Sequence, residues 1–264
     1  ILTGGLGRIA RVSQALVPAM ALLYLGGGAL VLLLRWQQVP QALSLMFRCA
    51  LTPEAALGGG LGWTAAEALR HGVARGVFTN EAGLGTSAMA HGAAEVDYPA
   101  RQGMWGIFEV FFATLLTCTL TALVILVGGV YQPETVLSQL RQGMLPDWAL
   151  GVPLTARSFS AVLGEAGAWI VWISLLLFAF SSILGWSYYG ERCWGYLSNN
   201  NKVVNVIFKI AFVLMCVVGS VGSGTLMWNI SDTLNGMMAI PNLVGLLLLS
   251  GTVIRLTREY FDKK

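Results

Sequence analysis

The feature that most limits what this chain can become is its series of apolar runs, each about 20 residues long. A helix of that length crosses the ~30 Å hydrocarbon core of a bilayer. Helices of water-soluble proteins are shorter and polar along one face. Six such segments lie at about 12–34, 61–90, 106–130, 169–189, 203–221 and 226–254. Charged residues make up 11% of the chain, against about 25% in a soluble domain. Too little polar surface remains for a water-facing coat. The expected class is an all-α polytopic membrane protein, with the lipid bilayer as its first partner. Pro241 falls inside the sixth run and predicts that this run divides into two pieces. The connection at 131–164 is polar and proline-bearing and reads as an external loop with a short helix.

Charge placement gives the threading. With residues 4–11 inside and the segments alternating, nine basic residues flank the inner side: Arg8, Arg11, Arg101, Arg192, Lys202, Arg255, Arg258, Lys263 and Lys264. Four flank the outer side: Arg35, Arg48, Arg141 and Arg157. That asymmetry obeys the positive-inside rule for the cytoplasmic membrane. Arg70, Arg75 and Lys209 fall within segments. The net charge of +3 forms no basic stripe, so nucleic acid is not an expected partner. Cys49, Cys118, Cys193 and Cys216 show no C-x-x-C spacing, and Cys118 and Cys216 read as small core hydrophobes. The chain opens Ile-Leu-Thr without Met or a signal sequence, which reads as a cut inside a longer protein.

The second segment carries chemistry. It is apolar enough for the membrane, yet residues 65–95 hold Glu67, Arg70, His71, Arg75, Asn80 and Glu81. Each ionisable group at membrane depth costs roughly 2.5–3.5 kcal/mol on insertion scales. Gly72, Gly76, Gly83 and Gly85 punctuate the same stretch, and glycine lowers helix propensity by roughly 1 kcal/mol per residue. The pattern predicts a helix that breaks near 78–85 and resumes around 86–94. Backbone groups freed by such a break cannot face lipid, so the break must line a protein-enclosed cavity. The plainer alternative is glycine-mediated helix packing, with Glu67 pairing Arg70 and His71 at i,i+3 and i,i+4.

The run Gly76-Val77-Phe78-Thr79-Asn80-Glu81-Ala82-Gly83-Leu84-Gly85 resembles the signature of the sodium:alanine symporter family. Further motifs follow in family order: Gln102-Gly103, Cys118-Thr119, Leu177-Phe178-Ala179-Phe180-Ser181-Ser182-Ile183, Leu226-Met227-Trp228 with Asp232, and Met238-Ala239-Ile240 with Asn242-Leu243. The family resembles the leucine-transporter fold of two inverted five-helix repeats. The resemblance implies a partial fold of that kind: the last helix of the first repeat, then the second repeat led by its broken helix. It implies that the N-terminal half of the same carrier is a missing partner.

The resemblance also assigns sites. It implies substrate contacts at Phe78, Thr79, Asn80, Ala82, Gly83 and Trp228, with Glu81 and Asp232 in coupling or gating. It implies a sodium site at Ser181 and Ser182, with the Phe178 carbonyl one turn away. Hydroxyl and carbonyl oxygens suit a hard cation; the alternative for the serines is interhelical hydrogen bonding. Trp228 could equally be an interfacial anchor. Two departures stand out: Ala88 occupies the usual proline position after the signature, and Ala113 occupies the usual aspartate position, with Glu109 one turn earlier.

The expected function is sodium-coupled symport of alanine or glycine, with no cofactor besides the coupling ion. Proton coupling through Glu81 is the fallback. A truncated remnant or split-gene subunit is a second reading. An intramembrane enzyme is a third and weaker one, because His71 and His91 have no His-x-x-x-His spacing or acidic cluster beside them.

Overall fold

The computed structural model describes residues 5–51, 65–81, 83–132, 148 and 151–262, and its regular elements among these residues are all helical. The helices are α1 (Gly5–Leu34), α2 (Val39–Leu51), α3 (Ala65–Asn80), α4 (Thr86–His91), α5 (Pro99–Phe111), α6 (Thr119–Val127), α7 (Gly151–Leu163), α8 (Glu165–Leu197), α9 (Lys202–Val221) and α10 (Gly224–Asp262). A π-helical segment, Phe112–Cys118, joins α5 to α6 and makes one continuous helix of them. Among the described residues, five helices are long and apolar enough to cross a membrane: Gly7–Leu34, Pro99–Val127, Glu165–Leu197, Lys202–Val221 and Gly224–Asp262. The chain is a multi-pass membrane protein.

The second expected segment breaks within the window that the sequence predicts. It yields the 16-residue α3 and the six-residue α4 with a break between them. Neither piece alone reaches the ~20 residues that a spanning helix needs. The expected pairing of Glu67 with Arg70 and His71 lies outside the described side chains. The sixth segment differs from expectation, because α10 runs through Pro241 as a single helix of 39 residues. Proline removes one hydrogen bond, and a long membrane helix tolerates that loss where its neighbours reorganise around it.

The chain divides into two compact units. The first comprises residues 3–70 and 115–184. Its core joins α1, α2, α6, α7 and α8 through Val31, Ala42, Leu123, Val124, Val127, Ala156, Phe159 and Val171. The α7 helix lies in the stretch expected to be an external loop, yet its Leu154, Ala156, Ser158 and Phe159 are buried. Its polar residues mask a packed face. Ser158 is satisfied by donating to the Leu154 carbonyl at 2.8 Å. The amphipathic α2 has no counterpart among the six expected segments, being too short to register as a span.

Lipid is as apolar as leucine, so helices in a membrane associate through close packing and hydrogen bonds. Both are visible here. A Cβ on Gly28 would collide with Leu120, so the glycine lets α1 approach α6. The Thr121 hydroxyl donates to the Thr117 carbonyl at 2.8 Å. Its oxygen is then left to accept from the Tyr24 hydroxyl at 2.7 Å, again between α1 and α6. Cys118 is exposed and Cys216 half-exposed, so neither is the core hydrophobe expected.

The second unit comprises residues 71–114 and 185–264. It holds most of α3, all of α4, α5, α9 and α10, and the last part of α8. Lys209 of α9 meets Glu191 of α8 at 2.9 Å, which offsets the cost of each charge at membrane depth. The asparagine before α9 caps it, Asn201 accepting from the Val203 N–H at 2.9 Å.

These contacts make unequal demands on stability. Tyr24→Phe removes one interhelical hydrogen bond, an interaction that averages about 0.6 kcal/mol in membrane proteins. Gly28→Val overpacks the α1–α6 contact, at about 1–3 kcal/mol. Thermal unfolding in detergent should therefore show a clearly larger fall in midpoint for Gly28→Val than for Tyr24→Phe. Equal midpoints for both variants and the parent would contradict the packing described.

Candidate functional site

The site grows from the interruption between α3 and α4. In a continuous helix the Leu84 N–H would bond the Asn80 carbonyl. Here it bonds the Glu81 carbonyl at 3.2 Å, and the Glu81 N–H bonds the Phe78 carbonyl at 3.3 Å. Three-residue turns replace the helical ladder, and the Asn80 carbonyl is released from it. Gly83 and Gly85 take φ of 76° and 87°, which only glycine adopts without strain. Glu81 is also left-handed at φ 50°; a side-chain-bearing residue pays about 1–2 kcal/mol for that. Strain of this kind persists where the surroundings over-determine it, commonly at functional sites.

Asn80 closes α3. Its Nδ2 donates to the Gly76 carbonyl at 3.1 Å, and its Oδ1 accepts from the Thr114 hydroxyl at 2.9 Å. Thr114 belongs to the π-helical segment, a local widening often found at functional sites. Both ends of the Asn80 amide are thus engaged with protein, and its role in shaping the break is direct. On the other side, Asn242 of α10 donates from Nδ2 to the Gly83 carbonyl at 2.9 Å. Thr86, the first residue of α4, is fully buried, and its hydroxyl has no partner among the described residues.

The broken segment lines a cleft of about 980 Å³ inside the second unit. Thr79, Asn80, Glu81, Gly83 and Gly85 face it from the break, with Ala113, Tyr189 and Asn242 from the other helices. Farther along, His91 lies between two groups of α5. Its Nδ1 is 2.8 Å from Gln102 Nε2, and its Nε2 is 3.4 Å from Glu109 Oε2. With that amide orientation, Nδ1 accepts and Nε2 carries the proton toward Glu109. Glu109 therefore faces the cleft one turn before Ala113 and pairs with His91.

A second cluster lies one turn before the break. Arg75 Nη2 donates to Asp232 Oδ2 at 2.7 Å, with the guanidinium 4.3 Å from the centre of the Trp228 ring. Phe78 meets the same ring edge-on at 5.4 Å. Arg75, Phe78, Trp228 and Asp232 thus form one contact set tying α3 to α10. A planar guanidinium is suited to both contacts at once.

Of the residues singled out from sequence, Phe78, Thr79, Asn80, Glu81, Gly83, Trp228 and Asp232 gather in the second unit, at the break or on the α3–α10 contact. Ala82 lies outside the described residues. Phe178, Ser181 and Ser182 belong to the first unit, on α8; Phe178 meets Tyr24 edge-on at 6.1 Å. Sequence reasoning missed Thr114, Gln102 and the Arg75–Asp232 pairing. Arg75 and Asp232 each carried a signal as a charge inside an apolar run, and Gln102 stood in a motif, but nothing in the sequence paired them with their partners.

The ion pair is open to a charge-reversal test. Asp232→Asn and Arg75→Ala should each lower activity of the complete protein severalfold, since a partly exposed ion pair is worth about 1 kcal/mol or less. The double reversal Arg75→Asp with Asp232→Arg should recover part of that loss. A reversal no better than the worse single variant shows that the two charges act separately.

The sequence profile of the Sodium:alanine symporter family matches residues 1–264. An uncharacterized transporter of Haemophilus influenzae is 39% identical over 264 residues, covering 100% of this chain and 55% of its own length. The sodium/alanine symporter AgcS of Methanococcus maripaludis is 40% identical over 260 residues, covering 98% and 54%. The probable sodium/glutamine symporter GlnT of Bacillus subtilis is 33% identical over 264 residues, covering 100% and 52%. This chain spans about half the length of the curated relatives it matches. These relatives are transporters rather than enzymes, and the chain belongs to the Sodium:alanine symporter family.

Proposed function

We propose that this chain is the second half of a carrier that moves a small neutral amino acid, alanine or glycine, together with sodium across the cytoplasmic membrane. The observation that carries the reading is the break between α3 and α4. It is held open by two left-handed glycines and faces a cleft large enough for an amino acid many times over. An amino acid presents an ammonium and a carboxylate. Carbonyls released from the helical ladder suit the first, and unpaired N–H groups and hydroxyls suit the second. Thr79 and Gly83 supply such groups from the break, Phe78 and Trp228 bound the apolar side, and Glu81 and Asp232 serve coupling or gating.

Sodium in this reading is held by the Ser181 and Ser182 hydroxyls and the Phe178 carbonyl on α8. Neutral oxygens bind a monovalent hard cation without burying a second charge. The fold in this reading is that of a leucine-transporter-like carrier, with the rest of the first repeat supplied by an N-terminal half. The family's name and the sodium/alanine relative support alanine and sodium. The sodium/glutamine relative makes glutamine the competitor to include.

The test is uptake of labelled alanine by vesicles containing the complete protein. An inward sodium gradient should accelerate uptake on the order of tenfold over potassium, equivalent to about 1.4 kcal/mol. Unlabelled glycine should compete better than glutamine. Ser181→Ala with Ser182→Ala should raise the sodium concentration for half-maximal uptake by about tenfold, or 1.4 kcal/mol, and leave alanine affinity at saturating sodium nearly unchanged. Uptake indifferent to sodium would sink the coupling and leave a proton path through Glu81.

A further inference from the structure

Asn242 follows Pro241 within α10 and faces the break. Its amide meets both left-handed glycines. Nδ2 donates to the Gly83 carbonyl at 2.9 Å. Oδ1 lies 3.0 Å from where a Cβ on Gly85 would stand. The next residue, Leu243, has its Cδ2 3.3 Å from where a Cβ on Gly83 would stand. Two consecutive residues of α10 therefore close over the two glycines that set the course of the broken segment. One directed bond between residues 159 positions apart in sequence and two close approaches beside it join the segments here.

We propose that Asn242 is a positioning residue for transport: it fixes the backbone of Gly83–Gly85 so that the break presents its released groups to the substrate. This rests on the reading of the break as the amino-acid site. A break has no helical ladder to restore it, so its conformation depends on side chains from outside. Asn80 and Thr114 secure its upstream end. Asn242 secures the downstream end, where both glycines could otherwise move freely over positive and negative φ. A backbone misplaced by about 1 Å in a recognition site can cost on the order of a hundredfold in function. A small change at residue 242 therefore has a large reach.

The chemistry of the bond gives a narrow probe. Asn242→Asp preserves size and shape but, when ionised, has no N–H to donate to the Gly83 carbonyl. Two measurements on the complete protein are paired. Hydrogen exchange at residues 81–86 reports the hold on the break directly. The KM and maximal rate of alanine uptake, normalised to protein in the membrane, report its consequence. We expect exchange to quicken by about tenfold and KM to rise by about tenfold, with the maximal rate changed far less. A residue that merely helps the protein fold would lower the amount inserted and leave KM alone. Unchanged exchange overturns the proposal. Faster exchange with unchanged KM upholds the anchoring and overturns the break as the amino-acid site, so the two failures are distinct. Should Asn242→Asp prevent insertion, Asn242→Ser, which keeps a donor on a shorter arm, is expected to shift both readouts in the same direction; wild-type values in that variant overturn the proposal.

Discussion

The structure of the second unit depends on one constraint: a helix interrupted at membrane depth must have its backbone groups met by protein. Lipid offers them nothing, and each unmet group would cost several kcal/mol. Asn242 does this at the Gly83 carbonyl, and Asn80 braces the end of α3 from which the break departs. Asn80 turns back on the Gly76 carbonyl and takes the Thr114 hydroxyl, while Asn242 reaches from α10 to the Gly83 carbonyl. Amides suit the task because they donate and accept without carrying charge. The glycines permit the path of the chain, and the amides choose that path among those permitted.

The same economy governs the charges. Arg75 and Asp232, and Lys209 and Glu191, pair as opposite charges across helices, while the His91 Nε2 lies 3.4 Å from the Glu109 carboxylate. A carboxylate or guanidinium at this depth persists because a partner offsets much of its desolvation. The pairs differ in what else they touch. Lys209 and Glu191 join α9 to α8, away from the cleft. Arg75 also stacks on Trp228, which in turn meets Phe78 beside the break. His91 and Glu109 face the cleft itself.

Much of this was legible in the sequence, for physical reasons that can be named. Apolar runs of membrane length are hard to form by chance, and five described helices follow them. The interruption at 81–85 was legible because glycines and ionisable residues coincide where neither is tolerated without purpose. The continuity of α10 through Pro241 was not, since proline's lost bond can be absorbed by surroundings that sequence does not reveal. The burial of α7 was hidden because a helix of 13 residues with four small or apolar buried residues is too short to register as a span. Thr114 and Asn242 were invisible as partners of the break. A single polar residue in an apolar run says that something needs it but not what, and these contacts span 34 and 159 positions.

The central claim is that the segment between α3 and α4 is where the amino acid sits. A single cysteine at Thr79, in the complete protein freed of its native thiols, would face the cleft from the break. Its rate of modification by a small water-soluble thiol reagent is the most direct measurement. Alanine with sodium should slow that modification severalfold, while neither alanine with potassium nor sodium alone should protect as well. A rate unaffected by alanine under every ionic condition would contradict the account.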